Sequence, residues 1–422
     1  KTFPDESLDM CITSPPYWGL RDYGTEGQIW GGDSECEHDF KSSTRKLHSG
    51  SWGEKDNVLP HFKNATELNW EVEDKICSKC GAWKGELGLE PSPDMFIDHL
   101  CDIFDEVKRV LKPTGNCWVN LGDTYANTGS GKGTGNMQHK NKPGAMTPKV
   151  KCDLPSKCLV QIPSRFAIEM TNRGWILRNE IIWHKPSCLP SPAKDRFTVD
   201  FEKMFFFTKN KKYYFKQQIE ETQAKVIEPR MRKEKRETYD AKWDGTQGPL
   251  RTMKRNKRTV WSINTASFKD AHFAVYPPEL IRVPIDAGCP EWVDKKTGIP
   301  REETIKEVKH ELSEDYKGEA QKDYESANAQ NPSDVKRRTL ESMRTEKVSI
   351  GYDDGRDDSE FKPGVVLDPF FGSGTTAEIA MEQGKDWVGI ELNDDYEKIS
   401  QKRLKPRIIE KKTRDKAKQF WG

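Results

Sequence analysis

Apolar positions in this chain fall into short blocks separated by long polar stretches. The block LDMCIT, residues 8–13, mixes apolar and β-branched side chains, which predicts a short buried strand ending at Ser14. Residues 95–111, MFIDHLCDIFDEVKRVL, place apolar side chains at Phe96, Leu100, Ile103, Phe104, Val107 and Leu111, the spacing of one helix face. Pro93 lies near the start of that helix, and Lys112-Pro113-Thr114-Gly115 stops it. CWVNLG at 117–122 then reads as a strand. Helix followed by strand recurs at 165–172 and 175–183, and KMFFFTK at 203–209 is a further run fit for a buried strand. This alternation predicts an α/β domain with a mostly parallel sheet.

Between the blocks, residues 127–142 are too rich in Gly, Lys and Asn to pack, and 320–358 are polar enough to predict a helical or partly disordered insertion. Only 34% of the 422 residues are apolar, so much of the chain must be solvated. No apolar run approaches the roughly 18 residues of a membrane span, and no signal peptide is visible. A soluble, cytoplasmic protein is expected. Ten scattered cysteines favour reduced thiols, some of them metal ligands, over a disulfide scaffold. The chain begins at Lys1, close to the first strand, from which a trimmed N-terminus is expected.

The net charge of +1 hides local asymmetry. Residues 209–258 hold 16 Lys/Arg against 7 Asp/Glu, 289–362 hold 14 against 19, and 398–418 hold 10 against 2. Basic zones of this kind suit phosphate contacts, although a solvated helix face has the same composition.

Two stretches carry chemistry. In SPPY, Ser14 to Tyr17, the paired prolines fix φ, donate no backbone hydrogen bond and forbid a helix, although a Pro-Pro pair after a strand is by itself only a turn. Near the other end, VVLDPFFGSGTTAEIAMEQGKDWVGIEL reads as a strand at 365–367, a turn at 368–374, a helix at 375–382 and a strand at 387–392 that includes Glu391. Gly372 and Gly374 allow close approach of a ligand, and an acid at the second strand's end can hold two ribose hydroxyls. The turn fits neither the dinucleotide G-x-G-x-x-G nor a phosphate loop.

DPFFGSGTT resembles the S-adenosylmethionine turn of the DNA amino-methyltransferases, and SPPY resembles their catalytic motif. NLGD at 120–123, WILRNEIIWHKP at 175–186, RFTVDFEKMFFFTK at 196–209 and HFAVYPPELIRVPIDAG at 272–288 also look like segments of that family. The catalytic motif comes first, as in the β-type order. The resemblance implies a Rossmann-like, doubly wound sheet of seven strands with the active site at the carboxyl edge. It implies S-adenosylmethionine as cofactor, held by Asp368, Pro369, Phe370, Gly372, Gly374, Thr375 and Glu391, and double-stranded DNA as partner, with a cognate restriction endonuclease as a further possible partner. Family members usually carry a strand and helix before the catalytic motif, including an acid on the cofactor's adenine ring. That piece is absent here, so a truncated or incomplete chain is expected.

The resemblance assigns catalysis to Ser14, Pro15, Pro16 and Tyr17. An exocyclic base amine is a poor nucleophile, because its lone pair is delocalised into the ring. The Ser14 hydroxyl and the Pro15 carbonyl can draw it toward tetrahedral geometry, and Tyr17 can stack on a base extruded from the duplex. Serine is no strong base, so the proton is expected to leave to water. Serine in place of aspartate favours cytosine N4 over adenine N6. An adenine-N6 enzyme and a nonenzymatic DNA-binding protein of the same fold stand as alternatives.

Cys36-x-His38 and Cys77-x-x-Cys80, the latter followed by Gly81, form two half-sites of zinc-ligand type. They would close one structural site; the alternative is two unrelated clusters. No metal is expected after Cys289, where Asp294-Lys295-Lys296-Thr297-Gly298 replaces the cysteines of relatives. Arg230, Arg232, Arg236, Arg255 and Arg258 are the expected DNA contacts, whereas His99, His184 and His272 read as structural. The expected division is a catalytic half at 1–208 with a zinc module at 32–88, target recognition at 209–262, a cofactor-side element at 263–288, an acidic insertion at 289–362, a cofactor half at 363–404 and a basic tail at 405–422.

Overall fold

The first apolar block forms β1 (Leu8–Thr13), buried along its whole length. The structure, a computed structural model, describes residues 3–20, 25–46, 69–73, 75–126, 153–221, 254–266, 276–309 and 345–421. Six more strands join β1 in one sheet: β2 (Leu111–Leu121), β3 (Ile176–His184), β4 (Phe201–Thr208), β5 (Val260–Ser262), β6 (Val365–Asp368) and β7 (Asp386–Gly389). Their order is β5-β3-β4-β2-β1-β6-β7. Every neighbouring pair is parallel except the two that involve β4. The sheet is thus the doubly wound, mostly parallel one expected. Chain order departs from β1 in both directions, and that switch point opens a crevice at the carboxyl edge.

Alternation along the strands supplies two cores. Cys11, Cys117, Val119, Phe205 and Phe207 face α1 (Pro93–Val110) and α2 (Ile162–Asn172). Met10, Ile12, Trp118, Met204 and Phe206 face α3 (Pro278–Gly288) and α4 (Thr375–Glu382). The Trp118 and Phe206 rings stack with centroids 4.1 Å apart, a contact worth about 1 kcal/mol beyond its buried area. Helix α1 starts two residues before the predicted 95, because Ser92 caps it by accepting from the Met95 N–H at 3.2 Å and Pro93 suits the first turn.

Several boundaries differ from the predicted ones for physical reasons. Residues 112–115 do not end a helix in a free turn; pairing of β1 with β2 jumps from Leu8↔Leu111 to Met10↔Asn116, and the extra residues bulge. The bulge turns Lys112 onto Asp9 at 2.6 Å, a buried ion pair that joins β1 to the start of β2. Strand β7 ends at Gly389, so Glu391 lies beyond it in the loop before α5 (Asp394–Trp421). Part of the stretch predicted as helical or disordered forms a strand, Thr345–Ser349, antiparallel to Ile305–Lys309; residues 310–344 lie outside the described ones.

Candidate active site

Chain direction brings separate segments to one edge of the sheet. Ser14 follows β1, Asn120 lies near the end of β2, Lys185 follows β3, Glu202 begins the antiparallel β4, Pro369 follows β6 and Glu391 lies just past β7. Around them is a cavity of about 670 Å³, lined among others by Ser14, Pro15, Pro16, Tyr17, Pro369, Phe370, Gly372, Thr375 and Glu391. The two motifs, some 350 residues apart in sequence, therefore share one chamber.

On the cofactor side, Asp368 is buried behind the cavity and does not line it. Its carboxylate accepts from Thr13 Oγ1 and Thr376 Oγ1, each at 2.5 Å, and from Tyr276 OH and the Phe370 N–H, each at 3.1 Å. Burial raises its pKa, and the four donors pull the other way. Tyr276 is held protonated by burial and by that neighbouring carboxylate. Asp368 thus ties together the end of β1, the end of β6 and the start of α4, which makes it a frame for the turn. Gly374 has the same supporting part: it caps α4 at φ +81°, and a Cβ there would press on Ser400, Leu404 and Phe371. Glu391 is fixed by backbone donors, with Oε2 accepting from Gly372 at 2.7 Å and Oε1 from Leu392 and Asn393 at 3.0 and 2.9 Å. From α5, Arg403 donates to Ser373 Oγ at 3.0 Å and Thr375 Oγ1 at 2.9 Å and pairs with Glu378. Arg403, at the end of the expected cofactor half and within the basic zone 398–418, thereby clamps the glycine turn.

On the other side, Tyr17 OH donates to Glu202 Oε2 at 2.7 Å and accepts from Asn120 Nδ2 at 2.7 Å and from Ser14 Oγ at 3.4 Å. Lys185 Nζ closes on Glu202 Oε1 and lies 4.4 Å over the Trp183 ring. Gly122 makes room for this arrangement, since a Cβ there would stand 2.5 Å from Tyr17 Cε2. Trp18 does not wall the cavity; its ring is buried in the core and its Nε1 donates to the Glu90 carbonyl at 2.9 Å.

A family model described as DNA methylase, for the N6/N4 methyltransferases, matches residues 8–402. The chain belongs to that family. It is a DNA methyltransferase that uses S-adenosylmethionine. Among curated relatives, the type II methyltransferase M.SmaI of Serratia marcescens is 28% identical over 94% of this chain and 85% of its own length. M.Cfr9I of Citrobacter freundii is also 28% identical, over 96% of this chain and 83% of its own. Among solved structures, PvuII DNA methyltransferase (cytosine-N4-specific) is 14% identical with a TM-score of 0.42, covering 94% of this chain and 80% of that one. A putative DNA modification methylase from Thermus thermophilus, complexed with S-adenosyl-L-methionine, is 15% identical with a TM-score of 0.39, covering 96% and 88%.

In this methylase the four expected metal ligands come together. Cys36, His38, Cys77 and Cys80 place their ligand atoms within 4.8 Å of one another. A tetrahedral ion with bonds near 2.3 Å needs edges of about 3.8 Å, so three sulfurs and one imidazole nitrogen fit it after a small contraction. Gly81, at φ +77°, returns the chain, and its N–H donates to the Cys77 carbonyl at 3.0 Å. Burial alone would raise the Cys77 thiol, but backbone N–H groups of Cys80, Asp39 and Lys79 and the His38 ring outweigh it and hold it near 5. Neighbouring Gln28, Trp30, Gly85 and Glu86 line the same cavity as Ser14.

The methylase's expected DNA contacts are mostly out of view: Arg230, Arg232 and Arg236 lie outside the described residues. Arg255 sits on the strand Lys254–Asn256, and Arg258 donates to Glu220 at 2.7 Å across the same hairpin. His99 is structural, sandwiched by Trp30 and Trp83 at 5.3 and 5.7 Å and bonded to Glu90. His184 bonds Ser262, and His272 lies outside the described residues. Sequence reading assigned no role to Asn120, Lys185, Glu202, Tyr276 or Arg403, although the first four lie in segments marked by the family resemblance.

Proposed function

We propose that this methylase transfers a methyl group from S-adenosylmethionine to N4 of a cytosine flipped out of a specific duplex site. The observation that supports it most is the placement of Ser14 and Tyr17 in one cavity with Phe370, Gly372 and Glu391. A neutral hydroxyl beside a fixed proline carbonyl suits the weakly basic cytosine amine, and the ring of Tyr17 offers a face on which the base can stack. Methyl transfer then forms an N–C bond as the sulfonium C–S bond breaks, the electron pair staying on sulfur. The carboxylate of Glu391, anchored by three backbone donors, is our proposed ribose ligand, and Thr375, Pro369, Phe370 and Gly372 are the proposed walls of the cofactor site. Asp368 and Gly374 contribute as its frame.

Residues 209–262 are proposed as the target-recognition region, with Arg230, Arg232, Arg236, Arg255 and Arg258 as DNA contacts; a cognate endonuclease would share its site. The loop between β3 and β4 also suits DNA, because Leu189 and Phe197 are almost wholly exposed and are accompanied by Lys194 and Arg196. Zinc is proposed at Cys36, His38, Cys77 and Cys80, where it would hold the module of residues 32–88 together. Incubation of duplex DNA with labelled cofactor, followed by nucleoside analysis, tests the reaction. N4-methylcytosine supports it, and N6-methyladenine alone favours the adenine enzyme.

A further inference from the structure

We infer that Glu202 sets the direction of the Ser14 hydroxyl and receives, through Tyr17, the proton that the methylated amine sheds; this rests on the reading of Ser14 and Tyr17 as base-binding groups. The polarity of the network follows from chemistry. A carboxylate has no proton to give, and Asn120 Nδ2 reaches both Tyr17 OH and Glu202 Oε2, at 2.7 and 2.8 Å, so both face an N–H donor. The Tyr17 proton must therefore point at Glu202, 2.7 Å away, which leaves its oxygen to accept from Ser14 at 3.4 Å. With its proton committed to Tyr17, Ser14 presents lone pairs to an incoming amine. Among the described residues, Asn120 Oδ1 is a buried acceptor in this network without a hydrogen-bond partner.

Lys185 pairs with the other oxygen of Glu202 and leaves Oε2 to face Tyr17. After the methyl transfers, the amine nitrogen is cationic. Its proton passes to Ser14 Oγ as the Ser14 proton moves to Tyr17 and the Tyr17 proton to Glu202 Oε2. The base ends neutral, Glu202 ends as a carboxylic acid, and the net positive charge that the sulfonium brought is left on Lys185, whose carboxylate partner has been neutralised. Glu202 returns its proton to water when the product leaves. On β4, the neighbouring Lys203 pairs instead with Glu180 at 2.7 Å, and Asp200 lies 3.7 Å from His184. Among the described residues, Glu26, Glu86, Glu391, Tyr276 and Tyr396 are the other titratable groups that line the cavity.

The test is the pH profile of single-turnover methyl transfer to duplex DNA with radiolabelled cofactor, for the unaltered protein, Glu202→Gln and Tyr17→Phe. The unaltered protein should lose rate on the acid side, as a relay that ends on a proton acceptor requires. Glu202→Gln should be about 10- to 100-fold slower, with a flat acid limb and an unchanged cofactor Kd and Tm. Tyr17→Phe keeps the ring but cuts the chain, and should flatten the acid limb even if Glu202→Gln does not fold. A wild-type rate in Glu202→Gln, or an acid limb kept in either variant, overturns the proposal. No transfer by the unaltered protein would instead sink the underlying reading, and this proposal with it.

Discussion

At the scale of single residues, the proposed chemistry depends on a small hydroxyl and a ring held still. Ser14→Ala removes the hydroxyl without adding volume, so methyl transfer should fall about 100-fold in single turnover while cofactor affinity stays within a factor of about two. A parallel loss of cofactor binding would argue that Ser14 supports the chamber and not the base. Gly122 offers an independent check, because its missing Cβ leaves room for the Tyr17 ring. Gly122→Ala should displace that ring and slow turnover about tenfold or more with little change in Tm; an unaltered rate would show that the ring's position is not critical. Ser14 and Tyr17 were marked by the family resemblance of a contiguous four-residue motif, since the proline pair by itself reads only as a turn. Glu202 left no local trace, since its bond to Tyr17 spans 185 residues and exists only once β1 and β4 flank β2.

At the scale of elements, the segments beside the proposed zinc ligands also wall the chamber. Trp30 Nε1 donates to the Gly85 carbonyl at 2.9 Å, and both residues line the cavity a few residues from the proposed ligands Cys36 and Cys80. Elemental analysis should find about one zinc per chain, and chelation or Cys77→Ser with Cys80→Ser should lower methyl transfer along with Tm. A full rate in metal-free protein would separate the module from the site. Helix α5 acts on the opposite wall through Arg403. Arg403→Ala should loosen the glycine turn and raise the cofactor Kd about tenfold, with DNA binding kept; an unchanged Kd would make that clamp dispensable. Composition made α5 legible only as a charged tail, because its partners Ser373, Thr375 and Glu378 are 25 to 30 residues away. The spacing Cys-x-x-Cys-Gly, by contrast, was legible because metal ligation restricts it locally.

At the scale of the whole molecule, the helix faces and buried strands were readable from apolar spacing, and the family resemblance implied the doubly wound sheet. Spacing did not show that β4 runs antiparallel or that β7 stops short of Glu391. Both depend on which strands pair, and pairing is a long-range choice that propensity does not encode. Substituting Arg230, Arg232 and Arg236 together should weaken DNA binding and reduce the slope of log K against log salt by about 3, and an unchanged slope would move recognition elsewhere. The most direct measurement is mass spectrometry of nucleosides from duplex DNA treated with the protein and methyl-labelled S-adenosylmethionine. Labelled N4-methylcytosine is expected, absent when Ser14→Ala replaces the unaltered chain; label found only in N6-methyladenine, or no label in DNA, would contradict the proposed function.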